Sequence, residues 1–192
     1  MILIEACALS AGYRRPAFAP LSFALARGGV LGVRGANGCG KSTLLAALLG
    51  QARIFAGEVR RAPGLRASLQ TQRQPPLAGV PLCGAELLAL TGATADGLPG
   101  GLADCLDQRL DRLSGGQRQF LQLWACLQAP ADLVLLDEPT NNLDAAGVAQ
   151  LGGAVRARAA AGLGVIVVSH DADFLAAACD RVLRMGGSDA VA

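Results

Sequence analysis

Short apolar runs spaced along the chain predict the strands of a buried sheet. Residues 30–33, 133–136 and 164–168 carry no polar side chain, as is typical of strands covered on both faces in a parallel sheet. Helices are predicted at residues 42–49 and 171–179, after the loops that follow the first and the last of these runs. This alternation predicts an α/β fold with a mainly parallel sheet.

A segment rich in glycine and proline interrupts the predicted sheet. Helices are predicted within it at residues 84–90, 102–110 and 115–127. The sheet resumes at Leu133 and ends with a strand at residues 181–185. We therefore expect one domain over residues 1–192. Its core is predicted at residues 1–72 and 129–192, and its helical subdomain at about 73–128.

Composition narrows the class of protein. The chain has 192 residues, of which 52% are hydrophobic and 17% charged. It contains no apolar stretch that approaches the roughly 20 residues of a membrane span. Its net charge of +2 and its lack of a basic run give no sign of nucleic-acid binding. The six cysteines form neither a C-x-x-C pair nor a metal-ligand spacing, which indicates reduced thiols. Residues 1–5 fit a first strand and not a signal peptide, so we expect a cytoplasmic protein.

A glycine-rich loop, GANGCGKST, lies between the first apolar run and the helix predicted after it. It fits the phosphate-binding pattern G-x-x-x-x-G-K-S/T. The glycines allow backbone N–H groups to approach phosphate oxygens, the Lys41 ammonium supplies a positive charge, and the Ser42 hydroxyl is a ligand for magnesium. The residues predicted to bind a nucleotide here are Gly35, Asn37, Gly38, Cys39, Gly40, Lys41, Ser42 and Thr43.

Acidic and imidazole side chains are predicted at the same edge of the sheet as this loop. Asp137 and Glu138 follow the run 133–136, and His170, the only histidine, follows the run 164–168. Ligands of parallel α/β sheets gather at the carboxyl ends of the strands. A carboxylate at Asp137 is suited to hold magnesium, and Glu138 is suited to polarise an attacking water.

A second glycine-rich segment, LSGGQ at residues 113–117, opens the helix predicted at residues 115–127. A helix N-terminus presents free N–H groups and the positive end of the helix dipole, and therefore attracts anions. The chain thus carries two predicted phosphate-binding helix ends and one acid pair. This combination indicates a nucleoside triphosphatase in which two surfaces meet across one nucleotide.

The order of these motifs resembles the ATP-binding cassette (ABC) ATPases. GANGCGKST, Gln72, LSGGQRQ, LVLLDEPTNNLD and VSHD occur in the family's order, and the match runs from Tyr13 to His170. The resemblance implies a P-loop NTPase core with antiparallel strands at its N-terminus and a short inserted helical subdomain. It also implies that the chain binds ATP with Mg²⁺ and hydrolyses it.

The resemblance gives roles to single residues of the predicted ATP site. Tyr13 resembles the aromatic residue that stacks on adenine, Glu138 the catalytic base, and His170 the switch histidine that steadies the γ-phosphate. Gln72 resembles the Q-loop glutamine, with Gln70 and Gln74 as competitors for that role. The residues expected to hold Mg²⁺ are Ser42, Gln72 and Asp137.

The resemblance also assigns the surface that meets a second copy of the chain. In the family, the signature segment completes the ATP site of the opposite subunit, so that two cassettes enclose two ATP molecules. The signature residues expected to act across this interface are Ser114, Gly115, Gly116 and Gln117. The D-loop beside them is expected at Asn142, Leu143 and Asp144.

The same resemblance implies further partners. It predicts an ATPase subunit that energises transport through separate integral membrane permease subunits, on the inner face of the membrane, with a substrate-binding protein as a further partner. Residues 72–90 and the compact size resemble the ATPases of bacterial zinc and manganese importers. Two alternatives stay open, namely a soluble ABC ATPase of the translation or repair type and a subunit that exports haem or another cargo.

Overall fold

The computed structural model of the chain describes residues 1–71 and 81–186. Its strands are β1 (Ile2–Gly12), β2 (Leu21–Ala26), β3 (Val30–Gly35), β4 (Arg53–Arg61), β5 (Ala67–Gln70), β6 (Leu133–Asp137), β7 (Gly164–Val168) and β8 (Arg181–Met185). Its helices are α1 (Lys41–Leu48), α2 (Gly84–Thr91), α3 (Gly100–Ala103), α4 (Gly115–Gln128), α5 (Ala145–Ala160) and α6 (Ala172–Ala178), with one 3₁₀ turn at Leu110–Arg112.

A five-stranded parallel sheet with the order β5-β6-β7-β3-β8 forms the centre of the fold. Its middle strands β6 and β7 are buried along their whole length. Alternate side chains of β6 belong to two different apolar clusters, Val134 and Leu136 to one and Leu133 and Leu135 to the other. Both faces of the sheet are therefore covered, which is why these strands are continuously apolar in the sequence.

Helices and a second sheet cover the two faces. On one face, side chains of α4, α5 and α6 pack with Val134 and Val165. On the other face, side chains of α1 and of the antiparallel sheet β2-β1-β4 pack with Leu135 and Ile166. The predicted fold class, an α/β core with antiparallel N-terminal strands and an inserted helical segment, is confirmed.

The inserted segment differs from the prediction in one place. The helix expected at residues 102–110 is wrong, because α3 ends at Ala103, residues 104–107 form turns, and Arg109 forms a bridge with Cys83. The cause is a tertiary contact, since the carbonyls of Leu106 and Gln108 accept hydrogen bonds from the N–H groups of Ala85 and Gly84. These are N–H groups of the first turn of α2, which have no partner within that helix. The segment that was expected to be helical instead caps α2.

Several loops converge at the carboxyl edge of the parallel sheet. The loops after β3, β6 and β7 leave neighbouring strands in the order β6-β7-β3. They carry Lys41, Glu138 and His170 respectively. In the described part of the chain, no helix is both long enough and apolar enough to cross a membrane.

Candidate nucleotide-binding site

The loop between β3 and α1 is shaped by glycines in left-handed conformations. Gly38 has a φ of 78° and Gly40 a φ of 96°. A side chain at Gly40 would also collide with its surroundings, because a Cβ there would lie 2.9 Å from Phe18 Cδ1 and 3.0 Å from the Ala17 carbonyl oxygen. These positions require glycine for backbone reasons, and they direct the loop around the start of α1.

Lys41 anchors the loop from inside. It is 8% exposed, and its Nζ donates hydrogen bonds to the carbonyls of Gly35 at 2.8 Å and Ala36 at 3.1 Å. The same Nζ lies 3.2 Å from Nε2 of His170. The ammonium is thus buried at the point where the loop, α1 and the end of β7 meet, and it faces the cavity in which a phosphate would bind.

Asp137 and Ser42 bring a carboxylate and a hydroxyl to the same cavity. Asp137 is the last residue of β6 and is 5% exposed. Burial raises the pKa of its carboxyl, whereas a hydrogen bond from the Ser42 hydroxyl and the charge of Lys41 oppose that rise. A buried carboxylate and a hydroxyl in contact, beside an ammonium, provide the hard oxygen ligands that Mg²⁺ prefers.

Glu138 is held in a strained conformation next to His170. Its φ is 52°, which is uncommon for a residue with a side chain. Its backbone N–H donates to the carbonyl of Val168 at 2.8 Å, so the end of β6 stays attached to the end of β7. Its Oε2 accepts the backbone N–H of His170 at 3.2 Å, and its Oε1 lies 3.1 Å from His170 Nε2.

These residues line one cavity of about 610 Å³. The structure brings together nine of the predicted site residues there, namely Asn37, Gly38, Gly40, Lys41, Ser42, Thr43, Asp137, Glu138 and His170. Four further residues line the same cavity without having been predicted, namely Ala17, Thr140, Asn141 and Asp171. Thr140 and Asn141 lie within the DEPTNN run, so the sequence carried a signal for them, whereas Ala17 follows a turn with no local signature.

The side chain of Cys39 lies beneath the loop and does not line this cavity. A Cβ placed on Gly35 would lie 2.7 Å from Cys39 Sγ, and one placed on Gly186 would lie 3.2 Å from Cys39 Cβ. Cys39 also packs against the apolar cluster on the α1 side of the sheet. The predicted part of Cys39 in nucleotide binding would therefore be played by its backbone and not by its thiol.

Tyr13 lines a neighbouring recess of about 400 Å³ together with Ser42 and Asp137. Its side chain is 67% exposed and projects from a tight turn after β1. That turn closes through a bridge between Gly12 and Pro16. An aromatic ring that is exposed beside the phosphate loop is available for stacking on a base.

One of the three Q-loop candidates lies at the end of β5. Gln70 is the last residue of that strand, is 5% exposed, and donates through Nε2 to the Thr71 carbonyl at 3.2 Å. Gln72, which we preferred for this role, and Gln74 lie outside the described residues.

The signature segment forms the first turn of α4 and does not line the cavity with Lys41. Ser114 caps the helix, since its hydroxyl accepts the N–H of Gln117 at 3.2 Å and the Gln117 side chain accepts the N–H of Ser114 at 3.0 Å. The Gln117 amide also donates to Cys105 Sγ at 3.4 Å, which ties the signature to the inserted segment. A Cβ placed on Gly115 would meet nothing within 4 Å, so packing within the chain does not require glycine at this position.

The D-loop runs against the signature of its own chain. A Cβ on Gly116 would lie 3.1 Å from the Asn142 carbonyl oxygen, and Asn142 itself has a φ of 63°. Leu143 packs against the apolar cluster beneath α4. Asp144 caps α5 by accepting the N–H of Gly147 at 2.7 Å. The loop is thus anchored at both ends.

Fold and site together define a P-loop nucleotide-binding protein, because a glycine loop with a lysine and two acidic residues lie together at the carboxyl edge of a parallel sheet. Solved ABC transporter ATP-binding domains have the same fold. One ATP-binding subunit of an ABC transporter matches with a TM-score of 0.78 at 22% identity, over 95% of this chain and 85% of its own. A nucleotide-free ATP-binding cassette matches with a TM-score of 0.76 at 17% identity, over 96% of this chain and 88% of its own.

Sequence relatives define the family. The profile of the ABC transporter family matches residues 18–79 and 94–141. A zinc import ATP-binding protein ZnuC of Cereibacter sphaeroides is 37% identical over 85% of this chain and 70% of its own length. The ZnuC of Ruegeria pomeroyi is 37% identical over 90% of this chain and 70% of its own length. The chain belongs to the ABC transporter family, and it is an ATP-binding and ATP-hydrolysing subunit.

Proposed function

We propose that this chain hydrolyses Mg-ATP at the cavity formed by Lys41, Asp137, Glu138 and His170, and that hydrolysis drives the import of a divalent metal ion, zinc in the first place. The observation that carries the catalytic part is the convergence of these four side chains from three neighbouring loops on one cavity. They come from three places in the fold, Lys41 after β3, Asp137 and Glu138 at the end of β6, and His170 after β7, so their approach depends on the complete fold and not on local sequence.

Each side chain has a distinct task in this proposal. Lys41 exchanges its contacts with Gly35 and Ala36 for the β- and γ-phosphate oxygens. Glu138 accepts a hydrogen bond from the attacking water and orients it toward the γ-phosphorus. His170, whose ring Nε2 lies against both Lys41 and Glu138, donates to a γ-phosphate oxygen once Lys41 has moved to the phosphates.

Ser42 and Asp137 are the residues that would hold Mg²⁺. Burial raises the pKa of the Asp137 carboxyl, the Ser42 hydroxyl opposes that rise, and both residues line the cavity. Their oxygen atoms match the preference of this ion, and Gln72 is proposed as a third participant. The ion supplies charge neutralisation for the phosphate groups when it is bound.

Two copies of the chain are proposed to enclose two ATP molecules. The signature turn of α4 lies outside its own ATP cavity, with Ser114 and Gly115 exposed. A helix N-terminus with free N–H groups attracts anions, so the γ-phosphate of a second copy is a suitable ligand for it. The contact between Gly116 and Asn142 keeps this turn beside the D-loop, which would enter the same interface.

The cargo is proposed from the relatives, whose printed names describe zinc import. The chain would work with integral membrane permease subunits on the inner face of the membrane, and with a substrate-binding protein that delivers the metal. The test is growth of a strain that lacks the gene, under zinc limitation. Complementation by the parent chain and not by Glu138→Gln supports zinc import. If the strain that lacks the gene grows as well under zinc limitation as the strain complemented with the parent chain, zinc is not the cargo. A growth defect of the same strain under manganese limitation would then indicate manganese.

A further inference from the structure

Glu138 lies between two cavities and not only beside one. It lines the cavity that holds the phosphate loop, and it also lines a second cavity of about 370 Å³. The other residues that line the second cavity are Gln119, Asn141 and Asn142. Every residue around this space therefore carries an amide or a carboxylate side chain, which sets it apart from an apolar packing defect.

One oxygen of the Glu138 carboxylate receives no hydrogen bond from the residues that the structure describes. Its Oε2 accepts the His170 backbone N–H, whereas its Oε1 is buried and receives no hydrogen bond from the described part of the chain. The ring Nε2 of His170 lies 3.1 Å from Oε1, but Lys41 Nζ lies 3.2 Å from the same nitrogen. An ammonium only donates, so an Nε2 that accepts from Lys41 has no proton for Glu138.

Buried carboxylate oxygens are normally satisfied by protein donors or by water. The second cavity is polar, and it is far larger than the roughly 30 Å³ that one water takes up in the liquid. Amide side chains offer both donors and acceptors, so they are suited to hold water in a fixed orientation. The chemistry of the lining thus matches water as the ligand.

We propose that this amide-lined cavity holds ordered water that connects Gln119 to Glu138 Oε1, and that Gln119 is a positioning residue for ATP hydrolysis. The inference rests on hydrolysis at Glu138 and adds a second site, which shares Glu138 and Asn141 with the cavity at the phosphate loop. Gln119 acts through water and touches neither the nucleotide cavity nor the reacting atoms.

The backbone around the cavity is fixed well enough for such positioning. Glu138 is held by Val168 on one side, and its carbonyl accepts the N–H of Asn141 at 3.3 Å on the other. Gln119 lies in the second turn of α4, whose first turn packs against Asn142 through Gly116. The distance between Gln119 and Glu138 is therefore set by two rigid elements.

The test compares Gln119→Leu with a matched control, Gln122→Leu, which makes the same change on the same helix away from the cavity. Steady-state ATPase rates and equilibrium ATP binding are measured for both proteins. Gln119→Leu is expected to lower kcat by about 5- to 100-fold with the ATP dissociation constant unchanged, because misplacing a catalytic group by about 1 Å has effects of this size. Gln122→Leu is expected to match the parent.

A loss that is only structural would lower the melting temperature and weaken ATP binding together with kcat, and that result would overturn the inference. A kcat of Gln119→Leu equal to that of Gln122→Leu would also overturn it. Gln119→Asn, which retains an amide and leaves room for one more water, is expected to recover part of the lost kcat. A high-resolution crystal structure in which the cavity is dry would contradict the proposal directly.

Glu138→Gln measured in parallel separates this inference from the proposed catalytic role. If Glu138→Gln stops hydrolysis and Gln119→Leu does not affect it, the role of Glu138 stands and the role of Gln119 is wrong. If Glu138→Gln hydrolyses ATP at the parent rate, the catalytic assignment itself is wrong.

Discussion

The carboxylate of Glu138 meets His170 at two points, the backbone N–H at 3.2 Å and the ring Nε2 at 3.1 Å. The ring in turn lies 3.2 Å from Lys41 Nζ. A cation, an imidazole and a carboxylate thus form a continuous chain along the phosphate cavity. A γ-phosphate that enters between them would be contacted by Lys41 and His170 and would face Glu138, so we expect Lys41 to serve binding and His170 and Glu138 to serve hydrolysis.

The first prediction concerns His170. His170→Ala is expected to lower kcat by about 10- to 1,000-fold, because the side chain proposed to steady the γ-phosphate is lost. ATP binding should remain, since Lys41 and the loop backbone are unchanged. The measurement is single-turnover hydrolysis beside a binding titration. Asp173→Ala, an exposed change on α6, is the control, and equal rates for the two variants would contradict the role of His170.

A second prediction concerns the signature. Ser114→Arg, made in a Glu138→Gln background that slows hydrolysis, is expected to abolish ATP-dependent dimerisation and to leave ATP binding nearly intact. The arginine would project from the first turn of α4, where the proposed partner's nucleotide lies. Sedimentation velocity with Mg-ATP measures the outcome. Gln108→Arg, in an exposed turn, should dimerise like the parent background. Dimerisation of Ser114→Arg at normal ATP concentrations would speak against the arrangement in trans.

A third prediction concerns Cys39, whose side chain fills the space between Gly35 and Gly186. Cys39→Ala should bind ATP with an affinity within about twofold of the parent. Cys39→Leu should weaken binding by about 10-fold or more, since an overfilled space displaces the loop at a cost of about 1–3 kcal/mol. Titration calorimetry with Mg-ATP distinguishes the two. Equal affinities would show that the thiol does not support the loop from below.

A fourth prediction concerns the pH dependence of stability at Asp180. The Val30 N–H, and then Arg156, hold the pKa of its carboxyl below the ordinary value of 3.8. A carboxyl with a lowered folded-state pKa stabilises the fold above that ordinary value, and the contribution disappears as the pH falls through the folded-state pKa. Asp180→Asn should therefore reduce the free energy of unfolding by about 0.5–1 kcal/mol at pH 7, a modest amount because the pair is half exposed.

The measurement for Asp180 is urea unfolding at several pH values. The difference between parent and variant should shrink as the pH falls below 3.8. Asp107→Asn, in an exposed turn, is the matched control. If the difference in unfolding free energy between the parent and Asp180→Asn stays the same in acid, the Asp180 carboxylate acts through packing and not through its charge.

Much of the core could be predicted from the sequence, because its signals are local. The continuously apolar runs at β6 and β7 follow from burial on both faces, and the glycine pattern before Lys41 follows from the left-handed conformations that the loop requires. The meeting of Asp137, Glu138 and His170 at one edge follows from the rule that parallel strands end together. These features need no knowledge of distant contacts.

The parts that could not be predicted depend on contacts between distant segments. The turns after α3 form where the carbonyls of Leu106 and Gln108 cap α2. The sequence around these two residues gives no sign of that contact. The position of Cys39 beneath its loop depends on Gly186, far along the chain. The cavity beside Gln119 likewise arises only when α4 is packed against the D-loop.

The most direct test of the account is the conversion of Glu138 to glutamine, which keeps the shape of the side chain and removes its basicity. Hydrolysis should fall by about 100- to 10,000-fold with ATP binding retained, and the protein should accumulate as a dimer that contains two ATP molecules. Single-turnover hydrolysis and sedimentation with Mg-ATP measure both outcomes on the same sample. A Glu138→Gln protein that hydrolyses ATP near the parent rate would contradict the account at its centre.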